Sequence, residues 1–88
     1  MPSALLHVTS VRYLGGYRLA VTFTDGTERE VDLSDELHGD VFEPLRDEAT
    51  FAEAFVDEET RTVAWPNGAD LAPEFLYEVG KEVQAAGS

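Results

Sequence analysis

The chain contains no cysteine. This excludes disulfide staples and thiolate metal sites and points to an intracellular setting, or to indifference to redox state. Long apolar runs are missing too; none exceeds a handful of residues, against the ~20 needed to span a bilayer. The opening Met1-Pro2-Ser3-Ala4-Leu5-Leu6-His7 lacks both a basic region and a long apolar stretch, so no secretory signal is expected and the expected location is cytoplasmic. Basic residues are scarce, six Lys and Arg against eighteen Asp and Glu, for a net charge of −12. Such a field repels phosphate backbones, because nucleic-acid binding relies on Lys and Arg displacing counterions. Direct nucleic-acid binding is therefore not expected.

What is present is enough for one small core. The 88 residues are 43% hydrophobic and include five Phe, three Tyr and one Trp. A chain this short forms a single domain over residues 1–88, with its core at about 6–84, and has a net stability of roughly 4–13 kcal/mol. The acid is unevenly placed. Residues 1–33 hold three Arg and four acids, or −1; residues 34–88 hold three bases and fourteen acids, or −11. Two explanations stand side by side: a solubility coat, or adaptation to a salty cytoplasm, and a docking face for a basic partner.

The first third reads as a β-meander. A strand-like run from Leu6 to Leu14 stops at Gly15-Gly16. Tyr17, Leu19, Val21 and Phe23 then alternate with Arg18, Ala20, Thr22 and Thr24, the period of a strand with one apolar face. Asp25-Gly26 closes a hairpin onto a third strand, in which Thr27, Arg29, Val31 and Leu33 oppose Glu28, Glu30 and Asp32. Arg18 and Arg29 lie near these acids, in reach of cross-strand ion pairs.

In the middle, Ser34 is expected to cap a short turn that ends at Gly39, and Pro44 forbids a long helix through Val41–Leu45. Asp47 is expected to cap a helix carrying Phe51 and Phe55 at i, i+4 and lying on the sheet. A second hairpin runs from Ala54 to Asp57, turns through Glu58-Glu59-Thr60, and returns from Arg61 to Trp65. Pro66-Asn67-Gly68 stops it, and Pro73 starts a last helix striped by Leu71, Phe75, Leu76, Val79 and Val83, with Glu74, Glu78, Lys81 and Glu82 outside. The fold class is α+β: a three-strand antiparallel meander, a second hairpin, short helices, and a C-terminal helix packed on the sheet.

Catalysis needs a positioned nucleophile, base or metal. His7 and His38 have no further N or S ligands at metal spacing, so no metal or other cofactor is expected. Ser34 with His38 and Asp35 or Asp40 lacks a nucleophile elbow or an oxyanion loop. Asp57-Glu58-Glu59 lacks the alternating ligands and central glycine of a calcium loop. Gly15-Gly16 leads into a strand, so it cradles no phosphate. An enzyme is thus not expected. The segment Trp65-Pro66-Asn67-Gly68-Ala69-Asp70-Leu71 reads as a strand-to-helix connector, with Asp70 capping the helix that follows. On a functional reading, Trp65 and Tyr77 form a partly exposed aromatic anchor for a protein partner, with Asn67 and Asp70 beside it.

Several ordered motifs carry a resemblance. Val11-Arg12-Tyr13-Leu14 with Tyr17-Arg18-Leu19, the run from Val21 to Thr27, and Val31-Asp32-Leu33 come first. Val41 to Asp47 with Phe51, then Val63 to Pro73 with Leu76-Tyr77, complete the series. Together they resemble the bacterial family called domain of unknown function 2442, over about residues 8 to 78. The resemblance implies a small α+β fold similar to the N-terminal domain of a Nitrosomonas protein, with no established activity. Some members carry a helix-turn-helix segment after this domain, and this chain is expected to lack one. The resemblance also implies an antitoxin-like role beside a second small gene. The acidic run from Asp35 to Glu59 exceeds the family pattern.

The expected function is a non-enzymatic protein-interaction module, antitoxin-like, with a basic protein partner. The alternative is a regulatory or sensory domain binding a small ligand between sheet and helix. An open sheet edge would let two copies pair as a homodimer.

Overall fold

The structure, a computed structural model, describes residues 6–82, and for Glu82 the backbone alone. In chain order the strands and helices are β1 (Val8–Gly15), β2 (Arg18–Phe23), β3 (Glu28–Asp32), α1 (Glu48–Phe51), β4 (Phe55–Asp57), β5 (Thr62–Ala64), α2 (Pro73–Val79) and β6 (Lys81–Glu82). A 3₁₀ turn spans Glu43–Arg46. The α+β class and the meander-plus-hairpin plan are those the sequence predicts.

The main sheet has the order β1-β2-β3-β6, antiparallel throughout. Both predicted tight turns form, and each needs glycine: φ is 107° and 57° at Gly15 and Gly16, and 89° at Gly26, values that an L side chain resists. Alternation then sorts the faces. Tyr13 faces Leu19, which faces Val31; Val11 faces Val21, which faces Arg29. Leu19, Val21, Phe23 and Val31 are buried on this inner side. The outer side carries Arg12, Arg18, Glu28 and Glu30, joined as Arg12–Glu28 at 3.6 Å and Arg18–Glu30 at 2.7 Å.

The middle departs from expectation in two places. Ser34 does not cap the turn that follows β3; the Asp32 carboxylate does, accepting the Ser34 amide at 2.9 Å. Asp47 does cap α1, accepting the Thr50 amide at 3.3 Å, but the helix is a single turn that ends at Phe51. Phe55 therefore does not share a helical stripe with Phe51. It opens β4, because pairing Phe55–Asp57 with Thr62–Ala64 satisfies a run of backbone groups that a lengthened α1 would have to give up.

The second hairpin forms as predicted, with Phe55 opposite Ala64, Val56 opposite Val63, and Asp57 opposite Thr62. After β5 the chain folds back on itself. The Trp65 amide donates to the Ala69 carbonyl (2.9 Å), the Leu71 amide to the Val63 carbonyl (3.2 Å), and Ala64 bridges Asp70. This return uses the backbone around Asp70 to extend the hairpin. The cap of α2 is Ala72, with no side-chain acceptor, so Asp70 does not cap it as expected.

α2 is also shorter than its apolar stripe suggests. It ends at Val79, and after Gly80 the chain straightens into β6, placing Lys81 opposite Glu30 and Glu82 opposite Arg29. Lys81 and Glu82 thus belong to the sheet rather than to the outer face of a helix; Val83 lies outside the described residues. One core joins the two sheets: Trp65, Phe23, Phe51, Leu33, Leu45 and Leu76 are each buried to within 2% of complete. Among the described residues no helix is long and apolar enough to cross a membrane.

Candidate protein-docking face

The four residues expected to meet a partner are not brought together. Trp65 is 1% exposed, and its indole Nε1 donates to the Phe51 carbonyl at 2.9 Å. Its ring lies 5.6 Å from that of Phe51. A buried indole needs a partner for its one donor, and the end of α1 supplies it. The expectation of a partly exposed Trp65 is therefore corrected: it is a core residue.

Tyr77 is half-buried on α2 and binds elsewhere. Its hydroxyl donates to Asp25 Oδ2 at 2.7 Å, its ring meets Phe23 edge-on at 5.0 Å, and the Arg29 guanidinium sits 3.9 Å from the ring centroid. Tyr77 thus ties α2 to the β2–β3 turn. Asp25 accepts hydrogen bonds from the Thr27 hydroxyl and amide and from Tyr77, and these hold its carboxyl below the usual range. Asp32 is lowered likewise, by the Ser34 amide and hydroxyl.

Asn67 and Asp70 remain at the surface. Asn67 Nδ2 donates to the Val41 carbonyl at 2.9 Å, while its Oδ1 accepts the Ala69 amide at 3.1 Å. The side chain so fastens the 39–42 loop to the 65–70 turn. Two exposed apolar side chains that sequence reasoning missed belong beside them: Val41, 48% exposed, and Phe55, 42% exposed. Phe55 pairs with Ala64, and Ala64 bridges Asp70, so these three lie in one row across three neighbouring segments. Asp40, Glu53, Pro66 and Asp70 are exposed around this end of the hairpin. The signal for Phe55 was its double assignment: no residue can both extend α1 and open the strand before Glu58-Glu59.

The remaining chemistry is sparse. His38 Nε2 lies 2.7 Å from the Asp35 carbonyl, and the His7 backbone pairs with Thr24. Among the described residues no group of three or more His, Cys, Asp or Glu is placed to hold a metal. A shallow cavity of about 360 Å³ opens between Val8, Val56, Asp57, Glu58 and Arg61.

A four-stranded sheet with one wet face, a second hairpin and an acidic irregular stretch defines a small α+β domain that presents surfaces rather than a deep cleft. The chain belongs to the family described as "Protein of unknown function (DUF2442)", which matches residues 8–82. It is also similar to a solved structure, a "putative DNA binding protein" of Nitrosomonas europaea. The two are 28% identical with a TM-score of 0.74, over 84% of this chain and 48% of that one. The chain thus spans about half the length of that protein. No curated protein matches it.

Proposed function

We propose that this domain is a non-enzymatic interaction module that docks a basic protein through its acidic end. The observation that carries the proposal is the pairing of exposed apolar side chains with one-signed charge. Val41 and Phe55 stand in residues 34–59, which hold ten carboxylates and a single base, Arg46. Apolar anchors give a contact its free energy, while a field of one sign speeds encounter and selects the partner. The family resemblance narrows the partner to the product of an adjacent small gene, with this domain as the antitoxin-like member covering its surface.

Duplex DNA is a poorer fit. The Nitrosomonas protein described as DNA-binding is about twice as long as the matched region. On this chain the net charge is −12, and Arg12 and Arg18 are each already engaged by a glutamate. Phosphate contacts need free cations. A second reading, a regulatory domain that binds a small ligand, draws on the cavity beside Arg61, which is near the lower size limit of ligand pockets. The space between sheet and α2 is filled by Leu76.

The test is copurification from the source cells, with wild type and a Val41→Ser/Phe55→Ser variant compared at low and high salt. The expected result is a stoichiometric basic protein held by the wild type, weakened by salt and lost in the variant. Recovery of bait alone at both salts refutes the proposal. A duplex that binds at low salt would favour the DNA reading. A metabolite that raises the melting temperature would favour the ligand reading, since a ligand at a hundred times its Kd adds about 2.7 kcal/mol.

A further inference from the structure

We propose that two copies of this chain pair along the free edge of β1, joining their main sheets into one. β1 is the terminal strand of its sheet. Among the described residues, its one backbone hydrogen bond outside the β1–β2 pair is from the Val8 amide to the Arg61 carbonyl, 2.9 Å, at the start of the strand. Past that point the edge is unpaired. Between the register breaks at Val8/Ser10 and Tyr13/Gly15 lies a regular run, Ser10–Tyr13, four residues that a second strand can follow. Such an edge is a template for strand addition unless something blunts it. Its side chains do not: Ser10, Arg12 and Tyr13 are exposed, Tyr13 by 37%, and Val11 is half-buried.

Charge selects the occupant. Residues 1–24 contain Arg12 and Arg18 and no Asp or Glu; all eighteen carboxylates lie from Asp25 onward. For a protein at −12, almost any contact between copies sets carboxylates against carboxylates, and the β1 edge is the stretch that avoids this. The nearest carboxylates of the sheet, Glu28, Glu30 and Asp32, stand two strands inward on β3. In the paired sheet the two β3 strands are five strand spacings apart, about 24 Å at ~4.8 Å each. That is about three Debye lengths at physiological salt, so their repulsion is largely screened. A basic partner strand is disfavoured at the same edge by Arg12 and Arg18. Four paired residues per copy make a small interface, and the dimer is one that dissociates on dilution.

Sedimentation of the full chain from ~10 µM to ~1 mM, spanning the affinities expected of small interfaces, is the test. The expected result is a concentration-dependent dimer that strengthens when salt is raised, as the overall repulsion is screened. Arg12→Glu should weaken it at least about tenfold, while Arg46→Glu, an equal charge change off the strand, should leave it within about twofold. Amide exchange at Ser10–Tyr13 should slow as concentration rises. A monomer throughout, equal responses of the two variants, or a dimer without slowed exchange at these amides overturns the proposal. No partner protein enters this experiment, so its failure leaves the docking reading standing.

Discussion

Gly80→Ala should destabilise the domain, against the usual direction of such a change. Gly80 has φ −76° and ψ 157°, an ordinary extended conformation that alanine adopts freely. On backbone grounds the substitution should stabilise by about 0.4–1 kcal/mol, by narrowing the unfolded ensemble. The surroundings reverse this. A Cβ at Gly80 would lie 2.9 Å from Arg29 Cβ, 2.9 Å from the Leu76 carbonyl oxygen and 3.1 Å from Val31 Cγ2, where ~3.5–4.0 Å is comfortable. None of these atoms is the free end of a flexible side chain. The Leu76 carbonyl accepts the Gly80 amide at 3.0 Å, and Arg29 and Val31 are fixed in β3 by pairing with Val21 and Leu19. Overpacking of this kind costs about 1–3 kcal/mol, so the net loss should be about 1–2 kcal/mol, or roughly 5–15 °C in Tm for a chain of this length. Urea unfolding followed by the fluorescence of buried Trp65 and by circular dichroism measures it. An alanine variant as stable as wild type, or more so, would show that α2 does not approach β3 as closely as the structure has it.

Two further outcomes follow from local geometry. Arg61 is the one non-glycine residue with positive φ among the described residues, at 59°. Arg61→Gly removes the ~1–2 kcal/mol of left-handed strain and adds ~0.5–1 kcal/mol of chain entropy cost, so thermal unfolding should find it between neutral and about 1 kcal/mol more stable; a clear loss would refute the strain. The lowered carboxyls of Asp25 and Asp32 stabilise the fold above about pH 4, their unfolded range, and that stabilisation is lost as pH falls through their lowered folded values. Between pH 5 and pH 2.5 the wild type should therefore lose more Tm than Asp25→Asn/Asp32→Asn, and parallel curves would count against both hydrogen-bonded turns.

What could be read in the sequence were the features written locally. Gly15-Gly16, Asp25-Gly26 and the alternation between them place the meander, since a turn that needs positive φ and a period of two are both properties of adjacent residues. Pro73 marks the first turn of α2 for the same reason. What failed depended on distant partners. Phe55 fits a helical i, i+4 pair with Phe51, yet its strand partner Ala64 lies nine residues on and prevails. Lys81 fits the outer face of α2, but pairing with Glu30, fifty-one residues back, straightens the chain after Gly80. Trp65 could as well have faced outward until the Phe51 carbonyl was in place beneath it. The candidate docking face inherited these errors: its polar members Asn67 and Asp70 were legible as turn residues, and its apolar members were not.

The clasp that Asn67 places on Val41 has a counterpart at the other end of the acidic stretch, where the Tyr17 hydroxyl donates to the Arg46 carbonyl. Between β3 and α1 the chain has no strand and only the 3₁₀ turn of its own, so its shape is imposed by side chains that belong to β5's return loop and to the start of β2. A surface held in this way exists before any visitor arrives. Recognition then need not wait for a segment to order, and calorimetry of the complex should register a heat-capacity change set by the contact area alone, without the larger one that accompanies coupled folding.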